Sequence, residues 1–163
     1  MSFAQQDIDA ISLQLGRTPR GVIEVANRCT CSKPTVVSTK PALPDGEPFP
    51  THFYLTCANL NSMIGTLEAS GLMKEYEERL NTDKDFAKQY KKAHLDYLDR
   101  RNKYGEVEEI KDISAGGMPD RVKCLHALVA HSLAVGPGIN PVGDDALVRL
   151  GNWATKPCLK ENS

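Results

Sequence analysis

The sequence predicts an α+β fold. A small antiparallel three-stranded sheet lies within about residues 22–57 and packs against a mainly helical C-terminal part that contains one central buried helix. Three segments before residue 57 are rich in β-branched and aromatic residues and are bounded by proline and glycine, as strands are. After residue 57 the apolar residues recur at helical spacing. Strands followed by helices is the order typical of α+β proteins.

The length of the chain fits one domain. With 163 residues it can enclose one sizeable core, so we expect a single globular domain over residues 1–155 and a loose tail over 156–163. The net charge of -1 provides no global field for nucleic acid or anionic lipid, so general nucleic-acid binding is not expected. The sequence has neither the ~18 consecutive apolar residues of a membrane span nor the regions of a secretory signal. The expected location is the cytoplasm, without membrane contact.

The spacing of apolar residues, together with proline, glycine and helix-capping residues, predicts where the strands and helices begin and end. The connection over 40–50 has four prolines and the one over 105–112 is highly charged, so both are predicted to be irregular. Strands are predicted over 22–29, 35–39 and 51–57, and helices over 4–15, 59–71, 72–80, 82–104, 119–135 and 144–150.

The loop that leads into the predicted central helix favours an anion site. Gly116 and Gly117 allow the backbone to approach a ligand closely. Pro119 suits the first position of a helix, whose free N–H groups attract anions. Arg121 and Lys123 then place two cations within one turn. The alternative is an ordinary structural loop and helix cap.

The first functional hypothesis is a regulatory or binding domain for a small anionic, phosphate-bearing ligand at the Gly116–Lys123 loop. Its pocket would form where this loop meets the strand end at Cys57 and the helix that carries His94 and Arg101. These two residues lie on nearly the same side of that helix, where they could contact a ligand. They could equally belong to an ordinary helix–helix contact edged by a salt bridge.

The second hypothesis is a hydrolase or transferase that uses Cys124 or His126 beside the same cationic loop, where the pKa of a thiol is lowered or a phosphate is polarised. If both residues lie on one helix they are about 200° apart around its axis, which argues against a shared metal ion. His126 and His131 are then expected to be core or pocket-wall histidines. No familiar catalytic motif occurs, so the sequence leaves open whether the protein is an enzyme.

The third hypothesis is a zinc-stapled interaction module. Five cysteines, an odd number, occur at positions 29, 31, 57, 124 and 158, and in a reducing cytoplasm free thiols or metal ligands are expected rather than disulfides. Strand parity places Cys29, Cys31 and Cys57 toward one apolar layer, and Cys124 on the buried helix can join them. Four such thiolates would satisfy tetrahedral zinc. The alternative is a set of inert core thiols.

Several segments spread along the chain are distinctive when taken together. They are Leu15-Gly-Arg-Thr-Pro-Arg-Gly21, Arg28-Cys29, Pro48-Phe-Pro-Thr51, Leu55-Thr-Cys57, Leu67-Glu-Ala-Ser-Gly71, Ala93-His-Leu-Asp-Tyr97, Gly117-Met-Pro-Asp-Arg-Val-Lys-Cys-Leu-His126 and Asn140-Pro-Val-Gly143. With these segments the chain resembles one bacterial family, catalogued as domain of unknown function 501. The resemblance covers nearly the whole chain, and the block around Cys124 is specific.

The resemblance implies a cytoplasmic bacterial protein and brings no catalytic residues, since the family has no established activity. Members tend to be encoded near a septum-formation protein and an exopolyphosphatase-like protein. That association implies a protein partner in cell division or polyphosphate metabolism, which is a statement about genes and not about a site.

Overall fold

A three-stranded antiparallel sheet forms one part of the molecule. The computed structural model describes residues 4–155, so the predicted tail over 156–163 lies outside the described residues. The strands are β1 (Val22–Arg28), β2 (Pro34–Thr39) and β3 (Phe53–Leu55), in the order β1-β2-β3. Every residue of the central strand β2 is buried. The predicted α+β class is confirmed.

The helices form the larger part. None of the helices within residues 4–155 has the length and apolar character that crossing a membrane requires. The α-helices are α1 (Gln5–Leu15), α2 (Ala58–Ala69), α3 (Leu72–Thr82), α4 (Lys84–Asn102), α5 (Leu125–Val135) and α6 (Pro141–Leu150), and short 3₁₀ turns occur at Glu108–Ile110 and Trp153–Thr155.

Both faces of the sheet are covered. On one face Val25 and Val37 pack against Ile11 of α1, and all three are almost completely buried. On the other face Val36 and Phe53 join the main core with the helices. The side chains of β2 therefore point alternately into two apolar layers, which explains why the whole strand is buried.

Helix α5 is the central buried helix that the sequence predicts. It packs against all three strands and against α2 and α6, and Leu125, Leu128 and Val129 have no exposed surface. The predicted start at Pro119 is wrong, because α5 begins at Leu125 and Cys124 precedes it in extended conformation. Residues 119–124 form turns and extended chain instead.

Two other helix starts also differ from the prediction. Helix α4 begins one residue after Asp83, whose carboxylate accepts the N–H of Phe86 at 3.1 Å, so Asp83 and not Thr82 is the cap. Helix α6 begins at Pro141, three residues before its predicted start, because the side chain of Asn140 caps it by accepting the N–H of Gly143 at 3.1 Å. Proline at the first helical position fits this geometry.

Strand β1 does not keep the regular alternation that the sequence argument assumed. Its pairing with β2 shifts register between Val22 and Glu24 and twice more before Arg28. Each shift inserts or removes one residue, which changes the face that the following side chains occupy. The strand also ends at Arg28, so Cys29 and Cys31 lie in a turn and not on a strand face.

A bidentate ion pair joins α1 to the sheet. Asp7 accepts from both terminal nitrogens of Arg28, at 2.7 and 2.8 Å, and from the N–H of Ala4 at 2.9 Å. The hydrogen bonds from Arg28, which outweigh the effect of burial, lower the pKa of the Asp7 carboxyl to about 2. Because the pair fixes α1 on the face of the sheet that carries Val25 and Val37, it contributes to stability.

We expect Asp7→Asn to lower the free energy of unfolding by about 1–2 kcal/mol at pH 7. The folded pKa lies below the ordinary value of 3.8, so the stabilisation is present above that value and disappears as the pH falls through about 2. Urea unfolding of both proteins at pH 7 and pH 3 checks this. Roughly half of the difference in free energy of unfolding between the wild type and Asp7→Asn should remain at pH 3. Asp9→Asn, at an exposed position of α1, is the control. A difference that stays the same at both pH values would contradict the assignment.

Candidate functional site

The loop before α5 folds back on its own chain. The N–H of Arg121 donates to the carbonyl of Gly117 at 2.8 Å, and the N–H of Lys123 donates to the carbonyl of Gly116 at 2.7 Å. Glu77 accepts the N–H of Val122 at 3.1 Å. Three of the backbone donors expected to bind an anion, those of Arg121, Val122 and Lys123, are therefore already bonded to acceptors of the protein.

The two glycines of this loop are required by packing within the protein. Both have positive φ, +64° at Gly116 and +94° at Gly117. A Cβ atom on Gly116 would lie 2.8 Å from the side chain of Leu128, and one on Gly117 would lie 2.7 Å from the carbonyl oxygen of Arg121. Their role in the fold is to let the loop pass close to α5.

The two predicted cations of the loop point outward. The Arg121 side chain is 61% exposed, and its Nε lies 2.9 Å from Glu77. That hydrogen bond lowers the pKa of Glu77. Lys123 is also exposed. The cavity beside this loop is lined by Pro119 and Asp120 together with Lys88 and Lys91, and by Leu80, Asn81 and Ala87.

His94 and Arg101 of α4 lie inside the protein. The Nδ1 of His94 is 2.7 Å from the hydroxyl of Ser114, a contact that joins α4 to the loop, and burial lowers the pKa of this histidine. Arg101 has no exposed surface. It donates to the carbonyls of Pro50, Ile110 and Ile113.

Two of the four cysteines expected to bind zinc pair with each other. Cys29 and Cys31 are joined by a disulfide, with Cα atoms 5.3 Å apart across the turn. The expectation of free thiols is therefore wrong for this pair, and two of the four sulfurs predicted to bind zinc are bonded to each other. Cys57 is buried and Cys124 is half-buried, and both carry thiols rather than a disulfide, whereas Cys158 lies outside the described residues.

Cys124 and His126 meet Glu68 at the start of α5. The Sγ of Cys124 is 4.0 Å from the Nδ1 of His126, which in turn is 3.0 Å from Oε1 of Glu68. Within residues 4–155, this is the group of potential metal ligands whose donor atoms all lie within 4.8 Å of one another. The helical-wheel argument that separated Cys124 from His126 is wrong, because Cys124 is extended and only His126 is helical.

The second nitrogen of His126 fixes the state of the ring. Nε2 is 3.1 Å from the backbone carbonyl of Asn61, which can only accept, so Nε2 carries a hydrogen. Nδ1 therefore faces the carboxylate of Glu68 and the sulfur of Cys124. A lone pair on Nδ1 facing a carboxylate oxygen at 3.0 Å is repulsive, so the contact requires a shared proton or a metal ion between the two atoms.

The titration behaviour of the cluster follows from these contacts. Burial raises the pKa of Cys124, but the interaction with His126 and a hydrogen bond from the backbone of Ala127 outweigh it, so the pKa lies below that of an ordinary thiol. The same interaction with Cys124 raises the pKa of His126 against the opposing effect of burial, and Asn61 and Glu68 add to the rise.

The carboxylate of Glu68 is itself held in place. Its Oε2 accepts the N–H of Leu125, the first residue of α5, at 3.0 Å. Glu68 lies near the end of α2, and its negative charge at the amino end of α5 is favourable. The anion at this helix start is thus supplied by the protein.

A cavity of about 300 Å³ opens beside the cluster. Cys124 and His126 form part of its wall, and Glu68 contacts His126 without lining the cavity itself. This volume is at the lower limit of pockets that hold small molecules. The rest of the lining is Leu15, Thr51, Phe53, Tyr54, Leu55, Asn61 and Ala127.

Sequence reasoning missed Glu68 and Asn61. Both lie on α2, more than 50 residues before Cys124, and nothing in their local pattern marks them as polar groups that face a site. The signal that was available is the segment Leu67-Glu-Ala-Ser-Gly71, which is part of the family resemblance and contains Glu68.

The comparison with known families agrees with this resemblance. A family model described as "Protein of unknown function (DUF501)" matches residues 25–148. The chain belongs to the DUF501 family. The match includes Glu68, Cys124 and His126, so the whole cluster lies within the DUF501 region. No curated protein and no solved structure matches the chain significantly.

Proposed function

We propose that this protein is a zinc-dependent hydrolase whose metal ion is bound by Glu68, Cys124 and His126. The observation that carries the proposal is the convergence of a carboxylate oxygen, a thiol sulfur and an imidazole nitrogen on one point at the wall of a cavity. Carboxylate, thiolate and imidazole are the ligands that zinc takes in proteins.

The spacing of the donor atoms supports this assignment. Tetrahedral zinc with ordinary bond lengths separates a sulfur and a nitrogen ligand by about 3.6 Å and a nitrogen and an oxygen ligand by about 3.4 Å. The corresponding distances here are 4.0 Å from Cys124 to His126 and 3.0 Å from His126 to Glu68. Shifts of about 0.4 Å, within the reach of side-chain rotation, bring them to those values.

The groups behind the cluster support it as well. A histidine that binds a metal ion through one nitrogen usually donates its other N–H to a carbonyl or carboxylate, as His126 does to Asn61. A ligating carboxylate is in turn hydrogen-bonded, as Glu68 is to the N–H of Leu125. Both contacts hold the ligand atoms in place before an ion arrives.

Three protein ligands leave the fourth zinc position for water, which is the arrangement of catalytic zinc sites. Zinc lowers the pKa of bound water to about 7, so hydroxide is available near neutrality. Zinc held by Glu68, Cys124 and His126 would supply this hydroxide for the hydrolysis of an ester, in which the bond from the carbonyl carbon to the leaving oxygen would break and the leaving oxygen would take up the proton that the water released. The net reaction converts ester and water to acid and alcohol.

The deciding experiment is elemental analysis of untagged protein. We expect about one zinc ion per chain, and a loss of most of it in Cys124→Ser and in Glu68→Gln, whose amide oxygen still accepts from Leu125. Glu77→Gln is the matched control, because Glu77 also accepts a backbone N–H but lies outside the cluster. Hydrolysis of 4-nitrophenyl acetate should disappear on chelation and return with zinc. Less than about a tenth of an equivalent of zinc would overturn the proposal.

A second candidate function is thiol-dependent hydrolysis or transfer with Cys124 as the nucleophile. The observation that favours it is that Sγ faces Nδ1 of His126 on the wall of the cavity. Zinc-free protein that hydrolyses the ester, and loses this activity when iodoacetamide alkylates Cys124, would establish this candidate in place of the first. The earlier hypothesis of an anion at the Gly116–Lys123 loop gains no support from the contacts of that loop.

A further inference from the structure

We infer that the substrate of the zinc site carries an anionic group at the end of an apolar chain, and that Arg17 and Arg20 bind that group. The inference rests on the proposed function for the position of the reacting bond. The binding of the anion itself is tested separately.

A second cavity adjoins the one that contains Cys124. The two share Leu15 and Tyr54 in their walls. The inferred ligand would extend past these two side chains from one cavity into the other. The second cavity has a volume of about 70 Å³, enough for a small terminal group and not for a whole ligand. Its apolar wall consists of Leu15, Val22, Val37, Leu43, Phe49 and Tyr54.

Two arginines complete this wall. Arg17 and Arg20 line the second cavity and are both exposed. Among residues 4–155, the ion pairs that form use other cations, and neither Arg17 nor Arg20 shares one with an acidic side chain. Two guanidinium groups beside an apolar wall fit an oxyanion attached to an aliphatic or aromatic body.

The loop that carries the arginines has a fixed conformation at both ends. Gly16 has φ +73° and ends α1, and Gly21 has φ +68° and leads into β1. The carbonyl of Gly21 accepts the N–H of Lys40, which ties the loop to the end of β2. The loop therefore holds Arg17 and Arg20 at the edge of the sheet, on the side where Tyr54 separates the two cavities.

This assignment differs from an anion site at the Gly116–Lys123 loop. There Arg121 is already paired with Glu77, and the backbone donors of Arg121, Val122 and Lys123 are bonded. Toward the described part of the chain, the guanidinium groups of Arg17 and Arg20 form no ion pair, so their donors can serve a ligand. The carboxylate and the phosphate monoester are the two oxyanions that such a pair recognises, and the experiment below includes both.

The test is calorimetric titration of the zinc-loaded protein with octanoate, with octyl phosphate, and with octanamide as the neutral analogue. We expect binding of one or both anions, at least about tenfold weaker binding of the amide, and a loss of at least about tenfold in the variant in which both Arg17 and Arg20 are replaced by glutamine. Zinc content and circular dichroism of the variant should be unchanged, since neither arginine contacts the metal ligands.

Arg121→Gln is the matched comparison, because it removes an exposed arginine from the other loop. If Arg121→Gln weakens binding and the Arg17/Arg20 variant does not, the inference is overturned in favour of the Gly116–Lys123 loop. Equal affinity for octanoate and octanamide also overturns it, since charge recognition is then absent. If the purified protein contains no zinc but binds the anion through Arg17 and Arg20, the subsite is retained and the proposed function is removed, so the two failures are distinguishable.

Discussion

Replacing Arg101 by methionine is expected to lower the free energy of unfolding by about 3 kcal/mol. The side chain has no exposed surface, and its terminal nitrogens donate to three backbone carbonyls, those of Pro50, Ile110 and Ile113. Methionine fills much of the volume of the stem but leaves all three acceptors without these donors. The hydrogen bond to Ile110 is buried and the other two are part-buried. Loss of the donor costs about 1–3 kcal/mol at a buried acceptor and less at a part-buried one, and removal of the buried charge offsets part of the total.

The position of these carbonyls explains why the effect should be large. Pro50 ends the proline-rich connection before β3, and residues 110 and 113 belong to the charged connection after α4. Arg101 is the common partner of two long segments that have little regular structure of their own. Burial lowers the pKa of Arg101, and yet the guanidinium remains charged, as arginine does in proteins.

Denaturant unfolding of Arg101→Met and Arg101→Lys measures this contribution. Lysine keeps the charge, but one ammonium group cannot replace a planar fork that reaches three acceptors, so it too should be destabilising. Lys103→Met is the control, because that side chain is 67% exposed and forms only a surface ion pair with Asp99. If the free energy of unfolding of Arg101→Met lies within about 0.5 kcal/mol of the wild-type value, Arg101 has no structural role. Ligand binding would then again be the better interpretation of Arg101.

The fold could be predicted because it follows from repeated patterns. Alternation and β-branched residues mark the strands, and the spacing of Phe86, Tyr90 and Tyr97 marks α4, whose apolar stripe is buried as expected. Helix boundaries were less well predicted. Pro119 and Asp120 look like a helix start, but the chain forms turns until Leu125, because Gly116 and Gly117 fold the loop back before the helix begins. Tertiary packing overrides a local signal there.

The site was predicted only in part because of that boundary. Cys124 and His126 are close in space because α5 begins at Leu125, so that Cys124 is still extended and His126 is helical. A helix that began at Pro119 would place them on opposite sides. Glu68 belongs to a distant segment and reaches the cluster through the packing of α2 against α5. No periodicity in one sequence encodes that juxtaposition.

A second large effect is expected at Gly143, in the first turn of α6. A Cβ atom there would lie 2.2 Å from the carbonyl oxygen of Leu128 and 2.2 Å from the hydroxyl of Ser132. Neither atom can move away easily, because the carbonyl belongs to the backbone of the central helix α5. We therefore expect Gly143→Ala to destabilise the protein by about 2–4 kcal/mol, although alanine is the better helix former.

Gly65→Ala gives the matched comparison, because Gly65 is also helical and a Cβ atom there would meet nothing within 4 Å. Helix propensity then acts alone, and the substitution should stabilise the protein by about 0.5–1 kcal/mol. The same chemical change thus has opposite expected signs at two helical glycines, and thermal unfolding of both variants measures them. If Gly143→Ala also stabilises the protein, α5 and α6 are not in close contact at Gly143.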